Sequence, residues 1–331
     1  MTLTPEISVV VPTHRRRALM LRTLAALRSQ SVDHGRYEMI VVCDGCDDGS
    51  ADAARALSRS GGPRLEVVEQ PRAGCAGARN RGAMEAVAPL LMFLDDDMIA
   101  APDLLEAHLR RHATDPGTVV LGAMLVHEDS PRSFVTEGLA RWAEKRNSRL
   151  SDHLAGIPVT EMLGGHITLS RQTFDALGRF DAAFTAGGRF GGEDLDFGWR
   201  ARSLGIPVVY EPRAIARQVW DKSFRSLCRD IREAGASDVR LARKHPEMAP
   251  SLTLGRSERL PPWERRALRA TLARPRRVAA AFSPALVALD LAARIGAKGR
   301  RLEHLHAVCR AHLYALGMVD AGFERSVTET G

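Results

Sequence analysis

At 331 residues the chain is too long for one small core and suits one large α/β domain with an appendage. Its 45% hydrophobic and 26% charged content is ordinary for a soluble globular protein. The formal charge is +7, but between Arg256 and Arg310 thirteen Arg or Lys stand against four acids, so the rest of the chain is near neutral.

In chain order, "ISVVVP" (residues 7–12) is a β-branched run that predicts a strand, followed by a helical pattern at Leu19, Leu21, Leu24 and Leu27. "YEMIVVCD" (37–44) predicts a second strand, which ends in the turn-rich "DGCDDGS" before a helix over 51–57. "RLEVVEQ" (64–70) is a third, followed by "AGCAGARNRGAMEAV", a helix entered through glycines, and "LLMFL" (90–94) is the fourth. Four strand–helix repeats in this space argue a doubly wound, mainly parallel α/β sheet. In such sheets ligands bind beyond the carboxyl ends of the strands. Pro12, Thr13, Asp44 and the triplet Asp95, Asp96, Asp97 all fall at such ends and should converge on one crevice.

The start of the chain, polar over residues 1–6 and then too short in its apolar run, does not read as a signal peptide. The most apolar window, 278–295, is broken by Pro284, Asp290 and Arg294, which argues against a membrane span. Five cysteines in a long chain suit a reducing compartment, hence a cytoplasmic protein. Cys43 and Cys46 form a C-x-x-C, but no second pair follows and zinc is not expected.

An acidic triplet alone reads as a solvated turn or a helix cap; directly after a buried strand it reads as a ligand site. Asp95 and Asp97, one residue apart and with no cationic side chain expected beside them, form a hard-oxygen site suited to Mg²⁺ or Mn²⁺. Mg²⁺ is commonly shared between one or two carboxylates and substrate phosphates. Asp44 is placed to accept from a nucleobase N–H. Gly74, Gly77, Arg79 and Arg81 surround a helix start, where free N–H groups and guanidinium donors suit an anion.

A second constellation, "GGRFGGEDLDFGWRARSLG" (187–205), puts four glycines ahead of Glu193 and Asp194 and continues with helical spacing at Leu195, Trp199 and Leu204. It reads either as a capped helix with dipole acids or as a carboxylate general base carried on a Gly-rich loop.

Six stretches in this order, "SVVVPTHRR", "VVCDGCDDGS", "GARNRG", "FLDDDMIAAPD", "GGHITLSR" and "GGEDLDFGWRAR", resemble the inverting nucleotide-sugar glycosyltransferases of family 2, which have the GT-A fold. The resemblance covers Ile7 to about Leu227. It implies a nucleoside diphosphate sugar donor bound by Pro12, Thr13, Asp44, Arg79, Asn80, Asp95 and Asp96. It also implies Mn²⁺ or Mg²⁺ on Asp95 and Asp97, Asp194 as catalytic base, and Glu193 beside it steering a hydroxyl acceptor. Gly165, His166 and Trp199 are the acceptor-side candidates, with His166 standing where an asparagine is usual. Cys43 replaces the first of two usual aspartates. Gln218 is the nearest polar residue where relatives carry a metal-binding histidine. The processive synthases' Gln-x-x-Arg-Trp signature is absent.

The resemblance and the composition together predict a GT-A domain over 1–235, divided into a nucleotide-sugar half (1–100) and an acceptor and catalytic half (101–235). A basic, mostly helical region follows over 236–331. Six arginines between Arg265 and Arg277, beside Leu268, Leu272, Val278 and Phe282, read either as a packed appendage or as a surface held on anionic lipid at the inner face of the plasma membrane. A lipid-linked or polysaccharide-precursor acceptor is consistent with that second reading. Trp263 and Tyr314 do not interleave with the arginines as stacking platforms, so nucleic acid is not an expected partner. Two rivals from other classes are a sugar-nucleotide binder without transferase activity and a nucleotidyltransferase. The second would need a Gly-rich phosphate loop after the first strand, which "VPTHRRRALM" lacks.

Overall fold

The computed structural model describes residues 4–152 and 156–323. The strands are β1 (Ile7–Thr13), β2 (Tyr37–Asp44), β3 (Arg64–Gln70), β4 (Leu90–Leu94), β5 (Met98–Ala100), β6 (Val119–Val126), β7 (His166–Ser170) and β8 (Val208–Gln218). The helices are α1 (Arg17–Arg28), α2 (Ser50–Arg59), α3 (Cys75–Glu85), α4 (Leu104–Thr114), α5 (Phe134–Ser151), α6 (Arg171–Ala176), α7 (Glu193–Ser203), α8 (Phe224–Lys244), α9 (Pro262–Ala273), α10 (Pro275–Arg294) and α11 (Arg300–Asp320). Two compact units emerge. One takes the residues up to Asp129, Trp142–Arg189 and Glu193–Trp220; the other takes Ser130–Arg141, Phe190–Gly192 and the chain from Asp221 on.

The first unit holds one eight-stranded sheet in the order β3-β2-β1-β4-β7-β6-β8-β5. β3, β2, β1 and β4 run parallel, as the four strand–helix repeats require. β7 then pairs antiparallel with both β4 and β6, and β8 is parallel to β6 with a register shift after Gly122. β1 and β2 are buried along their whole length because successive side chains serve opposite faces and both faces are covered. Val10, Ile40, Val42 and Phe93 face one core; Val9, Val11, Met39, Val41 and Met92 face the other, with Met20, Leu24 and Leu27 of α1.

Two packing details set the positions of the acids. α3 lies close on β1 because Gly82 has no side chain: a Cβ there would fall 2.3 Å from Val10 Cγ1. Phe93, one residue before the end of β4, meets Phe180 edge-on at 5.1 Å, and Phe180 stacks on Phe197 of α7 at 4.6 Å. That aromatic column joins the strand carrying the triplet to the helix carrying Glu193 and Asp194, and ring pairs of this kind contribute about 0.5–1.5 kcal/mol each beyond their burial.

The second unit is helical. α8 and α11 touch backbone to backbone, since a Cβ on Gly317 would lie 1.7 Å from Arg232 O and one on Gly235 2.0 Å from Tyr314 O. The Tyr314 hydroxyl donates to buried Asp238, and Thr271 of α9 bonds His312 Nδ1 at 2.8 Å. Leu268 is buried and Phe282 stacks on His312 at 4.3 Å, so these two residues of the expected lipid-facing set belong to the bundle interior. Among the described residues, no helix is long and apolar enough to cross a membrane.

Because Gly317 meets backbone rather than a side chain that could turn aside, Gly317→Ala should lower stability by about 1–3 kcal/mol. A shift in the urea midpoint at constant m-value checks this; an unchanged midpoint would mean the helices separate without cost.

Candidate functional site

The sheet topology brings the ends of β1, β2 and β4 together, with the start of β7 antiparallel beside them. The β1–β4 ladder stops at Val10 and Phe93, so Pro12, which has no N–H to give, sits beyond that pairing. Thr13 donates its hydroxyl to Asp96 at 2.7 Å. The chain then turns through Arg15, a non-glycine residue in the left-handed region (φ 53°).

That turn delivers Arg16, whose role was not apparent in the sequence. Its Nη1 donates to Asp96 at 2.7 Å and its Nη2 to Asp97 at 2.9 Å. A second guanidinium, Arg79 of α3, donates to Asp95 at 2.8 Å and to Glu193 at 3.1 Å. The expectation of a triplet without cationic neighbours is therefore corrected. The cations come from elements distant in sequence, and they offset the repulsion among the aspartates. The run of arginines directly after β1, at the same sheet end as the acids, was the available signal.

The three aspartates are not equivalent. Asp96 and Asp97 are buried, while the Asp95 side chain keeps 32% of its surface exposed. Burial raises the Asp96 carboxyl to about 7 against the pull of Arg16, and burial likewise raises Asp97. Asp97 also accepts from Gln218 Nε2 at 3.2 Å. Asp95 lies against β7: its N–H donates to Gly165 O at 3.0 Å, and a Cβ on Gly165 would fall 2.2 Å from its Oδ2. Gly165 thus seats Asp95.

Glu193 and Asp194 open α7. Burial, then the neighbouring Asp194, raises the Glu193 carboxyl to about 7; its Oε1 takes Arg79, while Oε2 is buried without a hydrogen-bond partner among the described residues. Asp194 is partly exposed and also raised by burial, and it accepts from Leu195 N at 2.8 Å and Gly164 N at 3.4 Å. Glu193, Arg79 and Asp95 form one continuous bonded group, with Asp194 the next residue along α7.

Other candidates are placed differently. Asp44 is buried and accepts from Gln70 Nε2 and Ala73 N, both at 2.7 Å, and Gly74 N at 2.9 Å, so it organises the loop entering α3. Gly74 is required there: φ is +86° and a Cβ would lie 2.2 Å from Thr185 O. Asn80 exchanges two hydrogen bonds with the Phe180 backbone at 2.8 and 3.0 Å, which spends both ends of its amide on the aromatic column. Arg81 is exposed and pairs with Glu85 on its own helix, away from the triplet's guanidinium partners. Trp199 is partly buried on α7, with Arg202 over its ring at 5.6 Å.

His166 is a core residue rather than an acceptor contact. It is fully buried, and its ring fills the space left by Gly122, where a Cβ would lie 2.1 Å from Cε1. His112 Nε2 bonds Thr168 Oγ1 at 2.8 Å, Thr168 bonds His108 Nδ1 at 2.8 Å, and His108 Nε2 meets His166 Nε2 at 3.0 Å. Burial lowers His112 and His166 to about 4 and likewise holds His108 well below its ordinary value, so all three are neutral and the chain of donors and acceptors is consistent.

The donor set at the triplet is oxygen only. Among the described residues no group of three or more His, Cys, Asp or Glu is arranged to hold a metal. Two carboxylates suit a hard divalent cation completed by phosphate oxygens and water, and do not suit zinc. Asp95 and Asp97 fit on that basis, with Arg79 having to share Asp95 and Arg16 having to share Asp97.

Residues 8–178 match the family model described as "Glycosyl transferase family 2", just over half of the chain. The chain belongs to that family. It is 33% identical over 281 residues to validoxylamine A glucosyltransferases of Streptomyces hygroscopicus subsp. jinggangensis and subsp. limoneus. These alignments cover 75% of this chain but only 63% and 58% of the two relatives, so the chain spans less than two-thirds of their length. Among solved structures it is similar to a mannosyltransferase from Pyrobaculum calidifontis in complex with GDP-Man and Mn²⁺ (TM-score 0.64, 19% identity, 97% of this chain and 88% of that one). It is also similar to S. aureus TarS 1–349 in complex with UDP (TM-score 0.53, 16% identity, 97% and 93%). At these identities the likeness is one of fold, and that fold is GT-A.

Removing Arg16 leaves two buried carboxylates without their shared cation. Arg16→Ala should destabilise the protein by about 3 kcal/mol at pH 7, the low end for a broken buried pair. The native Asp96 binds its proton with a pKa above its unfolded value, so its contribution to stability falls as pH rises from about 4 towards 7. The penalty for losing Arg16 should therefore shrink at pH 5. Urea denaturation at the two pH values measures it, and a pH-independent loss would contradict the assignment.

Proposed function

We propose that the chain transfers a sugar from a nucleoside diphosphate sugar to an acceptor hydroxyl by a single displacement with inversion. One observation carries this reading: Arg79 joins Asp95, at the nucleotide end of the sheet, to Glu193, beside Asp194 at the start of α7. A carboxylate whose pKa is raised is the stronger base near neutral pH, and Asp194 is the more exposed of the two. Names among the relatives support the class, since a validoxylamine A glucosyltransferase is named for the transfer of a glucosyl group.

In this mechanism Asp194 takes the acceptor's hydroxyl proton as that oxygen attacks the anomeric carbon. The bond from that carbon to the diphosphate oxygen breaks, and the diphosphate leaves with the electron pair. Asp44 holds the 70–74 loop in place so that the N-terminus of α3 faces the donor. Arg79 keeps Glu193 and Asp95 at fixed separation and supplies positive charge on the leaving-group side. A divalent cation held by Asp95 and Asp97 would supply Lewis-acid charge to the departing diphosphate. A structure bound to GDP-Man and Mn²⁺ within the same fold supports that assignment.

Asp194→Asn keeps shape but cannot take a proton, so turnover should fall by roughly 10²–10⁴ with donor binding retained. Steady-state rates and nucleotide-sugar calorimetry on the same variant test this. If Glu193→Gln gives the larger loss of turnover, the two acids exchange roles.

Chelation should abolish turnover, and Asp97→Ala should remove the Mn²⁺ dependence of nucleotide binding while the protein stays folded. Full activity in EDTA would overturn the metal assignment.

A further inference from the structure

α10 turns one face into its bundle and another to solvent. Leu289 and Ala292 are buried and Phe282 stacks on His312, which defines the inner side. On the outer side Val287, Leu291 and Ile295, spaced four residues apart, are 69%, 60% and 72% exposed. Ala280 and Pro284 extend this strip towards the N-terminus and are also exposed. Successive residues at this spacing lie on one side of a helix, so the strip is continuous. Scattered exposed apolar side chains need no explanation, but an aligned row does.

The charges around the strip are positive. Arg276 and Arg277 are exposed in the first turn of α10, which holds no acid, and no ion pair engages them among the described residues. Cations at a helix N-terminus oppose the macrodipole, so these two do not stabilise their own helix. Arg294, Arg300 and Arg301 are exposed at the other end. Asp290, the acid within α10, is largely buried and taken up by Arg294 at 2.9 Å and Arg225 at 3.4 Å. A second copy laid on this strip would bring arginines against arginines in either orientation. An anionic bilayer surface would satisfy both the strip and its ends.

We propose that the outer face of α10 docks on an anionic lipid surface, with Val287, Leu291 and Ile295 at the headgroup–acyl boundary and Arg276 and Arg277 on lipid phosphates. The helix lies along the surface rather than across it. This keeps Arg276 and Arg277 from the residues named in the sequence but replaces their apolar partners, of which Leu268 and Phe282 belong to the bundle, with a row further along α10. None of these residues belongs to the carboxylate site, so the inference does not depend on the transferase reading.

The test is co-sedimentation of the full chain with vesicles of phosphatidylglycerol and phosphatidylcholine in equal parts, against vesicles of phosphatidylcholine alone. Binding should be at least about tenfold stronger to the anionic vesicles and should weaken with salt. The Val287→Ser/Leu291→Ser/Ile295→Ser variant should lose at least about tenfold of that binding, and Arg276→Ser/Arg277→Ser should lose both binding and salt dependence. Should the triple variant not fold, Leu291→Trp provides an independent reading, a blue shift in emission on adding anionic vesicles beyond that of the unaltered chain. Equal binding to neutral vesicles, unchanged binding by a folded triple variant, no blue shift, or a dimer dissolved by the triple variant without any vesicle binding would each overturn the proposal.

Discussion

The site depends on two guanidinium groups standing between carboxylates that would otherwise repel one another. Arg16 serves Asp96 and Asp97, and Arg79 serves Asp95 and Glu193. Removing a partner from a buried charge is costly because the remaining charge has lost its water and gained nothing. This constraint explains why β1 ends in a tight turn that returns Arg16 to the triplet, and why α3 is pressed onto β1 closely enough to need Gly82. It also explains why an aromatic column, Phe93–Phe180–Phe197, braces β4 against α7. The acids can stay close only while both arginines hold their positions.

The same arrangement gives chemically similar carboxyl groups different surroundings. Asp96 is buried and held by Thr13 and Arg16. Asp95 keeps solvent access. Glu193 has one oxygen on Arg79 and one without a partner among the described residues, whereas Asp194 leans on the backbone N–H groups of Leu195 and Gly164. Differences in enclosure, rather than in residue type, set these groups apart.

Much of this was legible in the chain. β2, β3 and β4 occupy the residues their apolar runs mark, because a strand buried on both faces leaves a continuous signal. The convergence of strand ends follows from parallel topology, so the triplet and Asp44 were located without coordinates. The rest was hidden for definable reasons. Arg16 pairs with acids some eighty positions away, and long-range ion pairs leave no periodic trace. Asn80 and His166 are polar residues inside a functional motif, yet each is consumed by a structural bond that only the packing reveals. In the helical region the amphipathic pattern marked an apolar face correctly, but a bundle helix can carry two such faces, and periodicity does not say which one the neighbours cover.

The fit of His166 over Gly122 ties two positions on adjacent strands into one volume. An imidazole occupies the space where every other amino acid would place its first side-chain carbon. Enlarging residue 122 is therefore closed to the chain while the histidine remains, and shrinking residue 166 alone opens a void beside a buried polar chain. The two sites form a single steric unit: a change at either calls for a matching change at the other. Were residue 166 a smaller asparagine, a side chain at the position of Gly122 would be the compensating change that this geometry admits.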